Sequence, residues 1–185
     1  MKLLIVFILA LLLTISACKK EFNKEVIKIE GFALKDNLGN QFGVIGNADD
    51  DWKISNWSSL SAKEQSFLNF SDNIDLTNTM VTTLYNPIGY PNPFYNQSYL
   101  EFRSTDSVKL KIAVVDASGQ VFRTLAIKTK GIRPIVFDFS DIAQFPSGKS
   151  LRYYYSFSAD GQLNFKAGYG DVKVCRDPVS YLNCF

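Results

Sequence analysis

Few side chains in this sequence are of a kind and spacing to do covalent chemistry. Its 185 residues hold three cysteines, Cys18, Cys175 and Cys184, and no histidine. Without an imidazole the chain cannot assemble a Ser-His-Asp or Cys-His nucleophile, nor the usual zinc centre of a hydrolase. The run Asp49-Asp50-Asp51 offers oxygen ligands but lacks the alternating Asp-x-Asp-x-Asp-Gly and the later Glu of a calcium loop. A solvated acidic turn is the expectation there. Carboxylates alone can hydrolyse glycosides, so a small carboxylate-dependent hydrolase stays open as an outside alternative, although no pair of acids stands out for it. Trp52 and Trp57 offer either a stacking surface for sugar or peptide or two rings packed against a small helix. The expectation is no catalytic residue, no cofactor and no metal ligand, with Trp52 and Trp57 as the candidate binding surface.

Cys18 sits at the seam between an oily segment and a charged one. Met1-Lys2 is a minimal positive end, residues 3–13 are all apolar, and the small residues Ser16 and Ala17 follow, which is the layout of a secretory signal. Eleven apolar residues make a helix of roughly 16 Å, far short of the roughly 30 Å hydrocarbon core of a bilayer. Such a segment targets and does not span. Ile15-Ser16-Ala17-Cys18 resembles the bacterial lipobox, in which a lipid is transferred to the cysteine sulfur and the chain is cut just before it. The resemblance implies a mature chain held to a membrane through Cys18. Each buried methylene contributes roughly 0.8 kcal/mol, and two acyl chains suffice for stable attachment. The alternative, a cysteine after an ordinary cleavage site, would leave a reactive exposed thiol with no structural use. Lys19, Lys20, Lys24 and Lys28 then form a solvated tether, or lie near lipid headgroups.

With Cys18 taken by lipid, only Cys175 and Cys184 remain, and an exported compartment allows them to pair. Two cysteines without a histidine make a poor zinc site. Eight residues separate them, leaving ample slack for the roughly 5.5 Å Cα separation of a disulfide. The net charge of +2, with no basic stripe, excludes nucleic acid as a partner. An apolar fraction of 46% with 14% aromatics is enough to fill a core.

These residues must be positioned by a mainly β chain. Residues 27–44 read as a hairpin around Asp36-Asn37-Leu38-Gly39-Asn40. Ser61-Ala62-Lys63-Glu64 is a capping box, predicting a short helix over 62–69 that presents Phe67 and Phe70 to a core. From Thr79 onward the pattern is β. Val108, Leu110, Ile112 and Val114 alternate with Lys109 and Lys111, predicting one dry and one wet face. Ser118-Gly119 and Asp160-Gly161 read as two-residue hairpin connections, the second joining strands at 151–158 and 162–167. Short strands at this spacing predict a sandwich. The expected organisation is a signal at 1–17, a tether at 18–25, a hairpin plus short helix at 26–78 packed on the main domain, and an Ig-like antiparallel β-sandwich at 79–185 ending in a disulfide loop.

The most specific stretch is Tyr90-Pro91-Asn92-Pro93-Phe94, where two prolines exclude helix and regular ladder. It reads as a stiff corner with an aromatic anchor at each end. Together with Tyr99-Leu100-Glu101-Phe102, residues 108–116, Gly119-Gln120, Leu125, Gly148 and Tyr153-Tyr154-Tyr155, it resembles the Ig-like module of type IX secretion C-terminal sorting domains, and the related module of flagellar hook-capping proteins. The match covers roughly residues 90–167. The resemblance implies a two-membrane bacterium and, for members with the module at the C-terminus, cargo carrying an export label. This chain departs from them in its lipobox and in running on to a cysteine pair. The favoured expectation is thus a noncatalytic lipoprotein, most naturally in the outer membrane, that binds or scaffolds an envelope protein or glycan. Type IX cargo is the alternative. Asp106-Ser107-Val108 resembles the O-glycosylation signal of such bacteria, and the Asn-x-Ser sequons carry no weight in a bacterium.

Overall fold

The computed structural model describes residues 27–131, 133–177 and 181–184. Among the described residues nine strands run in chain order: β1 (Gly31–Lys35), β2 (Gln41–Gly46), β3 (Leu84–Tyr90), β4 (Gln97–Ser104), β5 (Val108–Asp116), β6 (Val121–Thr129), β7 (Ile135–Asp138), β8 (Ser150–Ala159) and β9 (Gln162–Lys173). One helix, α1 (Ala62–Leu68), lies between β2 and β3. Strands β3-β4-β7 form one antiparallel sheet and β6-β5-β8-β9 another, while β1 and β2 pair as a separate hairpin. The two larger sheets face each other across a core to which β4 contributes Leu100 and Phe102, β5 Leu110 and Ile112, and β8 Tyr153, Tyr155 and Phe157. Rings interlock across the layer: Phe102 meets Phe157 at 5.2 Å and Phe137 meets Tyr153 at 5.1 Å between centroids. This is the expected Ig-like antiparallel β-sandwich with an N-terminal hairpin and one short helix.

The capping box of α1 forms as its residue types require. The Glu64 amide donates to Ser61 Oγ and the Ser61 amide donates to Glu64 Oε2. Leu68, not Phe67, is the helix residue that is fully buried; Phe67 stacks on Tyr154 at 5.4 Å.

Three local expectations need correction. The polar face of β5 is not wet. Residues 60–72 lie over the outer face of the four-stranded sheet, where Leu60 and Leu68 pack with Ala113, Val115 and Tyr154. Lys109 and Lys111 end on Asp72 beneath that cover, at 3.3 and 2.9 Å. Burial works to raise the Asp72 carboxyl, and the two ammonium groups outweigh it, holding it below its ordinary value. The β5–β6 connection spans four residues, not two: the Asp116 carboxylate caps Ser118 and Gln120 amides and Gly119 takes φ +79°. Finally, β9 continues past Ala167 to Lys173. Its glycines are not breakers there, because neighbours occupy the space that side chains would need: a Cβ on Gly168 would sit 2.2 Å from the Lys53 carbonyl oxygen.

Candidate ligand groove

Cys18, the one residue with a chemical assignment of its own, lies outside the described residues, as do the signal and the tether over 1–25. Cys175 and Cys184 are joined as a disulfide, with 5.6 Å between their Cα atoms. Asp49 and Asp50 are exposed, whereas Asp51 turns inward. Among the described residues no group of three or more Cys, Asp or Glu is placed to hold a metal ion. Ser107 is half-buried in the turn between β4 and β5.

The tryptophans do not make a binding surface. Trp52 is 3% exposed and belongs to the core between the sheets, stacked on Tyr155. Trp57 starts a 3-10 turn and packs with the other cluster, on the far side of the four-stranded sheet. Each was drawn inward because the segment after the hairpin runs along the free edge of β9, with the Trp52 amide donating to the Tyr169 carbonyl and the Ser55 amide to that of Ala167. Burying the Trp52 ring and half-covering that of Trp57 removes most of the apolar surface they could offer to a ligand.

The open surface lies on the opposite side of the molecule, over the outer face of the three-stranded sheet. Here register places Tyr90 beside Tyr99 and Tyr99 beside Val136, one row across β3, β4 and β7. The two tyrosine rings stack at 5.6 Å. Each hydroxyl is fixed, Tyr90 donating to Glu101 and Tyr99 to Gln97, both at 3.2 Å. Above this row is a groove of about 1200 Å³. The turn of the first hairpin and Phe42 form one wall, and Pro91, Pro93 and Tyr95 close one end.

Two local devices hold the walls. Asp36 accepts from the Leu38 and Asn40 amides and from the Asn40 side chain, at 2.8 to 2.9 Å. The Asn40 side-chain bond, with the backbone bonds, keeps this carboxyl below its ordinary value. Within that turn Gly39, at φ +81°, lies against the Tyr90 ring. The second device is Asn92, fully buried in the proline corner. Its side-chain amide donates to the carbonyls of Ala33 and Asp171 and its Oδ1 accepts from the Lys173 amide, at 2.9 to 3.0 Å. Its backbone exchanges two bonds with Lys35. Asn92 therefore ties β1, β9 and the corner together. Both X-Pro bonds of the corner, Tyr90-Pro91 and Asn92-Pro93, are cis.

Arg176, beside Cys175, fixes the end of the groove. Its guanidinium donates to the carbonyls of Tyr95, Phe139 and Phe145 and to Asn96 Oδ1, and its Cζ lies 5.7 Å from the Tyr95 ring centroid. Sequence reasoning missed Asn92, Tyr95, Tyr99 and Arg176. The available signal was the aromatic content of β4 and the corner. Which rings face outward, however, depends on which sheet is covered.

A second polar cluster lies beneath the N-terminal segment. Arg152 and Asp171 form a bidentate ion pair at 2.6 and 2.7 Å, and Arg152 also donates to the Lys28 carbonyl. Asp51 accepts from the Asp171 amide at 2.5 Å. Burial, with the nearby charge of Asp171, pushes the Asp51 carboxyl up to about 7, and burial brings the Lys35 ammonium down to about 8. This cluster bonds the N-terminal segment to β8 and β9 and encloses little free space. Its role is cohesion.

No family model, curated protein or solved structure matches this chain.

Proposed function

We propose that this protein is a noncatalytic binding protein of the bacterial cell envelope, held to a membrane by lipid on Cys18, and that the groove over the three-stranded sheet is its binding site. The observation that carries the reading is an asymmetry between the two outer faces. On the four-stranded sheet the segment at 60–72 lies over β5 and β8 and takes up both lysines of β5, Lys109 and Lys111. The three-stranded sheet is left open, with Tyr85, Phe42, Tyr95 and Val136 each more than half exposed. A soluble domain rarely leaves ordered aromatic surface uncovered without a use for it.

Two further features favour this reading. The carboxylates lining the groove, Asp36 and Asp138, are both spent as turn caps, Asp138 accepting the Ser140 amide at 2.9 Å. Asp36 is held below its ordinary value, the reverse of the raised-pKa acid that a glycosidase needs. The chain beyond β9 is bonded to the body by the Cys175 amide, which donates to the Phe94 carbonyl, and by Arg176, and the disulfide ties Cys184 back to Cys175, which suits a finished domain better than a label to be recognised and cut. An outer-membrane location accords with this reading, on either of its sides.

The anchoring half is tested by labelling with a fatty-acid analogue and by detergent partitioning of the wild type and of Cys18→Ala. The wild type takes up label and enters the detergent phase, whereas the variant accumulates as an unlabelled precursor. Equal membrane attachment of the two overturns the lipid anchor. An acyl-free chain truncated near residue 86 would instead identify secreted cargo.

A further inference from the structure

We infer that the ligand of the groove is a neutral, linear oligosaccharide. The inference rests on the reading of the groove as a binding site and goes further by assigning the chemistry of its occupant.

The lining combines two kinds of group. Aromatic rings stand on it in fixed positions: Tyr99 braced by Tyr90, and Tyr95 by Arg176. Side-chain amides lie among them, at Asn37, Asn96 and Gln97. A sugar ring has an apolar face of C–H bonds and a rim of hydroxyls, each both donor and acceptor. Rings suit the face, and the amides suit neighbouring hydroxyls chiefly through their NH2 ends, since Asn96 Oδ1 already accepts from Arg176 and Gln97 Oε1 from Tyr99.

Charge argues for a neutral ligand. The lining carries two cations, Lys35 and Arg133, and two carboxylates, Asp36 and Asp138. They balance in sign, and the carboxylates are already bonded within their own turns. Lys35 is 8% exposed, drawn toward the Trp52 ring. Such a surface has no net field with which to hold a polyanion or a basic peptide.

Size and backbone decide the rest. At about 1200 Å³ the groove exceeds the roughly 300–1000 Å³ of a pocket for one small molecule, which leaves room for more than one sugar ring. A peptide bound by strand addition needs an unpaired edge. The floor here is the face of β4, whose backbone is paired on both sides by β3 and β7, so an occupant seated on Tyr99 meets side chains, and the unpaired backbone of that sheet lies on the outer edges of β3 and β7.

The experiment is calorimetric titration of the full processed chain in detergent with four soluble neutral hexasaccharides, from the cello, malto, xylo and manno series, with an oligogalacturonate as anionic control. Binding by at least one neutral hexasaccharide is expected, with Tyr99→Ala and Tyr95→Ala each weakening it about tenfold or more, equivalent to about 1.4 kcal/mol. Tyr95→Phe should keep most of the affinity, and unchanged melting temperatures would show that the variants fold. No heat from any neutral sugar at about 10 mM, beyond a Kd of that order, overturns the inference. So does a preference for the oligogalacturonate, or neutral binding that Tyr95→Ala and Tyr99→Ala leave intact. A photo-crosslinker at Val136 separates the two levels: a crosslinked protein in place of sugar sinks the saccharide and leaves the groove as a site. Failure of Cys18 labelling removes the anchor without touching the titration.

Discussion

The indole of Trp52 lies flat against the backbone of Gly170, so close that a Cβ on that glycine would sit 2.1 Å from the ring. Gly89 makes the same approach from the other sheet, where a Cβ would fall 2.0 Å from the indole. One ring thus plugs the side of the sandwich between β3 and β9, and two glycines make room for it. Trp52 itself takes φ +60° to reach this position.

Gly170→Ala is therefore expected to destabilise the fold by about 2–3 kcal/mol, since the added methyl meets the face of a large buried ring. Trp52→Ala should cost about 3–5 kcal/mol through the cavity it leaves. Urea unfolding measures both. A Gly170→Ala protein as stable as the wild type would show that the plug is not tight.

Asn92 should be harder to replace than a surface loop residue. Asn92→Asp turns two donated bonds into a carboxylate facing the carbonyls of Ala33 and Asp171, and a buried unpaired charge costs several kcal/mol. Asn92→Ala, which leaves polar groups unsatisfied but adds no charge, is expected to cost less, about 2–3 kcal/mol. Chemical denaturation of both variants gives the order.

Stability should depend on pH through Asp51 and Lys35. Asp51 holds its proton up to about pH 7 in the folded chain, against an ordinary value of 3.8. From pH 4 to pH 7 the unfolded chain has released that proton and the folded chain has not, so this group's contribution falls as pH rises through the window. Lys35, lowered from 10.5 to about 8, acts oppositely: between pH 8 and 10.5 the folded chain has lost a proton that the unfolded chain keeps, and stability rises. Asp51→Asn should flatten the lower limb, read from unfolding free energies at pH 4.5 and 7.5.

The disulfide should support the groove as well as the tail. Peptide mapping without reduction is expected to link Cys175 to Cys184. Opening this short loop should cost up to about 2.5–3 kcal/mol by the chain-entropy estimate. It should also loosen Arg176, the neighbour of Cys175 that holds Tyr95 and Asn96. Arg176→Ala should then lower affinity at the groove more than it lowers the melting temperature, because Arg176 positions the ring without forming the floor.

Much of the architecture was legible in local signals. The capping box, the Asp160-Gly161 turn and the alternation along β5 each depend on residues within a few positions of one another, and these became α1, the β8–β9 hairpin and a core strand. The proline corner was legible as a corner. Its buried hub was not, because the side-chain partners of Asn92 lie 59 to 81 positions away.

What the sequence by itself determined is the mainly β class, the elements with strong local signals, and the absence of any histidine-dependent chemistry. Turn chemistry and side-chain period are properties of neighbours, and a chain without histidine stays without it in any fold. What only the tertiary structure decided is which faces are covered. The lysines of β5 look wet until the segment at 60–72 lies over them. Trp52 looks available until Gly89 and Gly170 make room for it. Tyr95 and Tyr99 carry no local mark of their surface position, which follows from no layer arriving to bury them. Burial is settled by which sheet face acquires a cover, through contacts between residues far apart in the chain, and local pattern carries no record of that.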